Sequence, residues 1–328
     1  MIIVNTLIYI SMLNAIDLFS GIGAFSYAFQ GTFRTIAYCE IDAECRRVLK
    51  QNMVLGRLDK APIAHDIRAL HKATFPIKKR VDAIFAGFPC QDISVANTNG
   101  KGIYGLRSGL FWEIIRIIDE FDDTVNFVML ENVRNILKRG YRVVYRELNK
   151  RGFDVKYTIV SARQLGAPHK RSRVFIVARR RNPDLHVVNR KLLTNMWNQK
   201  GPPRVVEIPL EKRNAECKRF SMCGNSIVPH CIQYAYTHLV YGDPLPNKPK
   251  TWNIVLKQKK VVIRKEIWGT PYAHMGLYHI YKKLTERGAQ MIINQVFYDV
   301  TRKPSLKPFL NPRFVEWLMG FPANYTKS

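Results

Sequence analysis

The chain has 328 residues, 47% of them apolar, and carries 52 Lys and Arg against 25 Asp and Glu, a formal net charge of +27. This composition excludes a generally disordered chain and a small disulfide scaffold, and the length allows one large domain with a smaller one beside it. The charge calls for a polyanionic partner and is unevenly placed: residues 1–137 hold 15 basic and 14 acidic residues, 138–220 hold 22 and 6, and 221–328 hold 15 and 5. The first part reads as built for a small ligand and the rest for a phosphate backbone.

Cys39, Cys45, Cys90, Cys217, Cys223 and Cys231 form no CxxC pair, so a reducing, intracellular setting is expected. Cys217, Cys223, His230 and Cys231 have spacings of no common zinc pattern, and no metal is expected. The apolar segment ending at Met12-Leu13 lacks a basic n-region and a small-residue cleavage site and is too short to span a bilayer. Neither secretion nor a membrane is expected, and Met12 is a second candidate start.

Asn14 to Phe19 reads as a strand, followed by a tight turn, Ser20-Gly21-Ile22-Gly23, and a helix to about Gln30. Strand, glycine turn and helix make a nucleotide-type site, but the third glycine of the dinucleotide fingerprint and a P-loop Lys are both missing. Thr35 to Tyr38 is a second strand ending in Cys39-Glu40, where such folds hold a ribose. A third strand, Ile63 to Ile67, places Asp66 to accept from an adenine amino group.

Val81 to Ala86 is a buried strand broken at Gly87 and Pro89, so Cys90 sits on a stiff turn at a strand end, where open α/β sheets bind ligands. A thiolate there can act as a nucleophile; the bland alternative is a small core residue. Val95 to Gly105, rich in Asn and Gly, suits a loop closing over substrate, or a plain surface connection. Leu110 to Ile118 is an amphipathic helix and Val125 to Leu130 another buried strand. Glu131, at its end and in line with Cys90, is either a proton donor with a raised pKa or a helix cap.

A helix to Asn149 and a strand at Val155 to Val160 precede Gln164 to Arg173, where Arg171 and Arg173 point to one face of the strand Val174 to Ala178 and can fork a base edge or a phosphate. Residues 180–209 give no clean element. Gly224-Asn225-Ser226-Ile227-Val228-Pro229 opens a helix to about Val240, and Gly242 to Pro249 reads as a boundary. Beyond it come an alternating, hairpin-like run, Ile254 to Ile263, and the ending Asn311 to Pro322. No internal repeat is present.

Together, Asp17-Leu18-Phe19-Ser20-Gly21-Ile22-Gly23, Gly87-Phe88-Pro89-Cys90-Gln91, Glu131-Asn132-Val133, Arg171-x-Arg173 and Gly224-Asn225-Ser226 resemble the DNA cytosine-5 methyltransferase family. The resemblance implies a doubly wound, Rossmann-like α/β sheet binding S-adenosylmethionine, with a smaller domain that reads DNA. It implies a cofactor site at Asp17, Leu18, Phe19, Gly21, Gly23, Glu40, Ile41, Asp66, Ile67, Pro89, Leu110, Asn225 and Ser226. Cys90 would be the nucleophile, Glu131 the partner of the cytosine ring and Arg173 the ligand of its carbonyl oxygen, with Arg171 supporting. Gln91, Ser94, Arg171, Arg173, Lys257, Lys259 and Lys260 would touch DNA.

Two departures stand out. His169 occupies a place where the family carries Gln, and the Gly-Asn-Ser element precedes the Asn311 to Pro322 segment instead of following it, an order similar to phage and viral members. The expected domains are 14–180 for cofactor and catalysis, 181–222 and 243–328 for DNA recognition, and 223–242 as a helix returning to the catalytic domain. The expected activity is transfer of a methyl group to carbon 5 of cytosine in a short duplex site, by a monomer, with a cognate restriction endonuclease as a further partner. An RNA or tRNA cytosine-5 methyltransferase and a catalytically weak DNA-binding protein are the alternatives. The Cys-Phe-Thr element of the RNA-acting branch is missing.

Overall fold

The computed structural model describes residues 12–75, 79–89, 110–180, 192–198, 201–202, 205–206, 213–246 and 309–327. Cys90, Gln91, Ser94, the 95–105 loop, Lys257, Lys259, Lys260 and the 254–263 run lie outside the described residues.

The core is one sheet of seven strands: β1 Leu13–Leu18, β2 Phe33–Cys39, β3 Ile63–Ala64, β4 Ala83–Ala86, β5 Phe127–Val133, β6 Phe153–Ser161 and β7 Ser172–Arg180, in the order β3-β2-β1-β4-β5-β7-β6. The first five are parallel, whereas β7 runs antiparallel to both β5 and β6. Chain order reverses between β1 and β4, so the turns after these two strands open side by side at the carboxyl edge, the place where doubly wound sheets bind ligands.

Period-2 alternation splits the strands between two apolar clusters. Ala15, Phe85, Phe127, Met129, Phe175 and Val177 pack to one side with α1 Ala24–Ala28, α6 Arg213–Asn225, α7 Pro229–Tyr241 and α8 Pro312–Leu318. Ile16, Leu18, Ile84, Val128, Leu130 and Ile176 pack to the other, under α3 Leu110–Glu120 and α5 Tyr141–Lys150. The remaining helices are α2 Ala43–Val54 and the short α4 Ile136–Arg139. A small antiparallel pair, β8 Val205–Val206 with β9 Phe309–Leu310, joins distant parts of the chain.

Several boundaries differ from the sequence reading. The first helix stops at Ala28, not Gln30, because the chain turns at Gly31 into β2. The helix after Glu131 is broken at Gly140 into α4 and α5. The third strand is only Ile63–Ala64: Asp66 bonds the Arg68 N–H and starts a 3-10 turn instead. Gly224 and Asn225 end α6 rather than open α7. Phe220, Met222, Phe314, Val315, Leu318, Phe321 and Tyr325, all from stretches assigned to the smaller domain, share one apolar cluster with Phe25 and Phe29 of the catalytic domain. Among the described residues no helix is long and apolar enough to cross a membrane, and no group of three or more His, Cys, Asp or Glu is placed to hold a metal ion.

Candidate active site

The rim after β1 is unusual backbone. Phe19, Gly21 and Gly23 all have positive φ (53°, 54° and 84°). Among the described residues a Cβ on Gly21 would meet nothing within 4 Å, whereas one on Gly23 would come within 2.8 Å of Leu58 Cδ1. Glu40, at the end of β2, reaches back to this turn: its Oε2 accepts from the Gly21 N–H at 2.7 Å and its Oε1 from the Asp42 N–H at 2.8 Å. Burial raises the Glu40 carboxyl above its ordinary pKa, and the two N–H donors oppose that rise. Next to it Ile41 stands 69% exposed, an apolar side chain left uncovered on the same rim.

Beneath the turn lies Asp17, fully buried, with no hydrogen bond to either carboxyl oxygen. Burial holds its pKa well above the ordinary value; the nearby Ser26 N–H offsets part of this, and the Glu40 charge adds to it. A buried carboxyl so poorly supplied with donors is expensive to keep charged. Three further expected cofactor residues make contacts within the fold. Leu18 and Ile67 are packed inside the apolar cluster below the rim, and the Asp66 carboxylate is already held by Arg68, whose NH2 donates to it at 2.6 Å. Each of these has its contacts taken by the fold, which the local sequence could not show.

The second half of the site lies between β4 and β5. The turn Gly87-Phe88-Pro89 leads directly to Cys90, and Asn132 Nδ2 donates to the Phe88 carbonyl at 3.2 Å, clamping that turn to the end of β5. A Cβ on Gly87 would lie 3.0 Å from Ile227 Cδ1 and 3.5 Å from Glu131 Oε2, so the turn, the carboxylate and the segment after α6 converge. Leu110 opens α3 from a partly buried position on the opposite face.

Glu131 and Arg173 share strand parity with Met129 and Phe175, which aims both at the α7 side of the sheet. Arg173 Nε and Glu131 Oε1 are 2.9 Å apart. Burial raises the Glu131 pKa, and the Arg173 and Arg171 charges lower it only in part. Arg171 lies just before β7 and turns inward, donating from NH2 to the Ser226 carbonyl at 2.6 Å. It thereby ties the Arg171-x-Arg173 segment to Gly224-Asn225-Ser226, and its side chain is buried. Asn225 itself is exposed.

The arrangement presents a rim for a nucleoside-bearing ligand beside a protonatable carboxyl and a guanidinium fork. Sequence reasoning missed the clamp from Asn132 and the contribution of Ile227, although both sit in motifs it had singled out.

A family model described as C-5 cytosine-specific DNA methylase matches residues 13–328. The chain is 28% identical over 300 residues to the type II methyltransferase M.CviJI of Paramecium bursaria Chlorella virus IL3A, covering 90% of this chain and 74% of that protein. It is 30% identical over 185 residues to M.Sau3AI of Staphylococcus aureus, covering 50% of this chain and 42% of the relative. With M.HhaI of Haemophilus parahaemolyticus it shares 30% identity over 182 residues, 54% of this chain and 51% of the relative. The two bacterial proteins are thus matched over about half of their length or less, and the viral one over most of it.

Proposed function

Since the chain belongs to the C-5 cytosine-specific DNA methylase family, we propose that it methylates carbon 5 of cytosine in a short duplex DNA site, using S-adenosylmethionine and Cys90 as nucleophile on a flipped base. The observation that carries this reading is the pairing of buried Glu131 with partly exposed Arg173, 2.9 Å apart, beside the Gly87 turn that leads to Cys90.

The residues at the rim fit the cofactor. Gly21 leaves open space where a side chain would stand, Glu40 can hold hydroxyls, Ile41 offers an apolar face, and Asp17 is an unsatisfied carboxyl under the turn. Phe19, Gly23, Pro89, Leu110, Asn225 and Ser226 complete the proposed pocket. When bound, S-adenosylmethionine supplies an electrophilic methyl on a sulfonium.

Carbon 5 of cytosine is a poor nucleophile until the ring loses aromaticity. In the proposed mechanism the Cys90 thiolate adds to carbon 6, and the electron pair displaced from the ring is drawn toward nitrogen 3. Glu131, whose pKa burial raises, donates a hydrogen bond or proton there in its acid form, and Arg173 holds the carbonyl oxygen. Carbon 5 then takes the methyl group, loses its proton, and the Cys90 thiolate is expelled as the double bond re-forms. Within a duplex neither face of the ring is reachable, so the base leaves the stack at a cost of roughly a few kcal/mol.

The smaller DNA-reading domain is proposed for the basic residues between Gly242 and Phe309, with Lys257, Lys259 and Lys260 on phosphates and Gln91 and Ser94 at the flipped base. With about 5–8 phosphates neutralised, the slope of log K against log salt would be about −4 to −7. A monomeric, intracellular enzyme with a cognate restriction endonuclease completes the proposal. Bisulfite sequencing of plasmid DNA from cells expressing the chain tests it: cytosines in one short sequence become resistant to conversion. Uniform conversion with the expressed chain intact would contradict DNA methylation.

A further inference from the structure

The loop between β6 and β7 carries Arg171 and leads straight into Arg173 at the start of β7, and later parts of the chain hold it at three points. Asn195 Nδ2 donates to the Leu165 carbonyl at 2.9 Å, His169 Nε2 lies 2.8 Å from the Leu318 carbonyl, and Arg171 donates to the Ser226 carbonyl. Within the loop itself the Ala167 N–H bonds the Ala162 carbonyl and the Ala162 N–H bonds the Arg171 carbonyl, so the loop moves as one piece.

His169 is fully buried. Burial first, and the Arg171 charge next, push its imidazole down to about 3, so the ring is neutral at any working pH. A carbonyl only accepts; Nε2 therefore carries the single proton and donates it to Leu318. Nδ1 has no partner. The ring is a fixed donor, with no part as a base or a switch.

Its acceptor is equally fixed. Leu318 ends α8, whose Glu316 is fully buried and accepts from Arg219 at 2.7 Å, from the Asn324 N–H at 2.7 Å and from the Thr326 N–H at 2.8 Å. The adjacent Trp317 carbonyl accepts from Trp197 Nε1 at 3.0 Å. The Leu318 carbonyl is thus presented by a helix anchored on both sides.

We propose that His169 is a positioning residue whose bond to the Leu318 carbonyl docks the arginine-bearing loop on α8, so that residues 311–327 determine where Arg173 meets the base. This rests on the role proposed above for Arg173. It gives the C-terminal segment a part in catalysis through the Leu318 carbonyl. A shift of about 1 Å in a group that orients substrate can cost about 10²-fold in rate.

The test compares His169→Leu, which removes the donor, with His169→Gln, which retains an N–H, each alone and combined with Arg173→Ala. Measured are kcat for methyl transfer, the dissociation constant for S-adenosylmethionine, and thermal melting. The inference predicts that His169→Leu lowers kcat by about 10²-fold and leaves cofactor affinity within about twofold, that His169→Gln restores most of the rate, and that Arg173→Ala costs much less in the His169→Leu background than alone. A purely structural role would weaken cofactor binding together with kcat and give additive losses; either result overturns the inference. Full kcat in a folded His169→Leu chain overturns it too. Should His169→Leu fail to fold, His169→Gln decides: a folded, cofactor-binding Gln variant that has lost kcat contradicts the donor role, and one that retains it supports the role. A wild-type chain without methyl transfer would overturn the proposed function itself, a separate result.

Discussion

Glu131 Oε1 and Arg173 Nε stand 2.9 Å apart across the antiparallel β5–β7 pair, yet burial keeps the Glu131 pKa above its ordinary 4.5. The nearby cation offsets only part of the rise that favours the acid form needed by the proposed chemistry. The acid form is required, so the alkaline limb of the pH–rate profile follows the Glu131 pKa. Arg173→Ala removes the largest influence lowering that pKa, and the limb should move to higher pH while the rate falls about 10²–10³-fold. Single-turnover rates across pH check this. A limb that stays in place or moves down would remove Glu131 as the donor.

Asp17 connects the cofactor rim to stability. Its folded pKa is raised, so between the ordinary value of 3.8 and the folded value the native state holds a proton that the unfolded state has lost. The stability this contributes is present below the unfolded pKa and falls as pH rises through the folded one. Asp17→Asn should therefore melt like the parent in acid and stabilise the free chain by about 1–3 kcal/mol at neutral pH, while weakening cofactor binding. Thermal melts over a pH series would show the gap widening upward. A gap that widens toward acid would contradict the assignment.

Gly21 and Gly23 separate the roles of one turn. Both have positive φ, which costs a non-glycine residue about 1–2 kcal/mol, but only Gly23 is also crowded, by Leu58 and Leu49. Gly21→Ala should fold with a modest stability loss and lose cofactor affinity, because the methyl enters the open space in front of the turn. Gly23→Ala should lose clearly more stability. Calorimetric binding alongside urea titration distinguishes them, and the reverse ranking would place the cofactor elsewhere.

Glu316 offers a test of the C-terminal anchor by stability alone. Glu316→Ala leaves Arg219 buried without this partner and frees two backbone N–H groups of residues 324 and 326. The expected loss is about 3 kcal/mol, the low end for breaking a buried pair, since Glu216 remains 2.7 Å from Arg219. Denaturant titration should show it; an unchanged midpoint would mean that the segment is not anchored as described.

Much of this architecture was legible because doubly buried strands are continuous apolar runs: Val81 to Ala86, Val125 to Leu130 and Val174 to Ala178 announce themselves. The position of Glu131 at a strand end, in line with the turn before Cys90, followed from the same runs; the expectation that Arg171 and Arg173 share one strand face did not allow for β7 beginning only at Ser172. Helix α6 was not legible: its buried Phe220, Met222 and Cys223 gather at one end, and its partners lie about a hundred residues later in α8. Glu316, read locally, is one more charged residue on a helix; Arg219, Asn324 and Thr326 make it a buried hub. Asp66 shows how a short strand misleads: the residue expected inside the third strand lies two positions past its end, where its carboxylate caps a 3-10 turn and pairs with Arg68 at the surface.

The central claim is that this chain attacks cytosine through Cys90 with Glu131 and Arg173 holding the ring. A duplex carrying 5-fluorocytosine at the methylated position tests it most directly, since fluorine cannot leave carbon 5 as a proton does and the adduct with the nucleophile persists. Incubation with S-adenosylmethionine should give a denaturation-resistant protein–DNA complex whose linked peptide contains Cys90. Cys90→Ser should give none, and Glu131→Gln should form it about 10²–10⁴-fold more slowly. A linkage at any other residue, or no complex from a chain that methylates the unmodified duplex, would contradict the account.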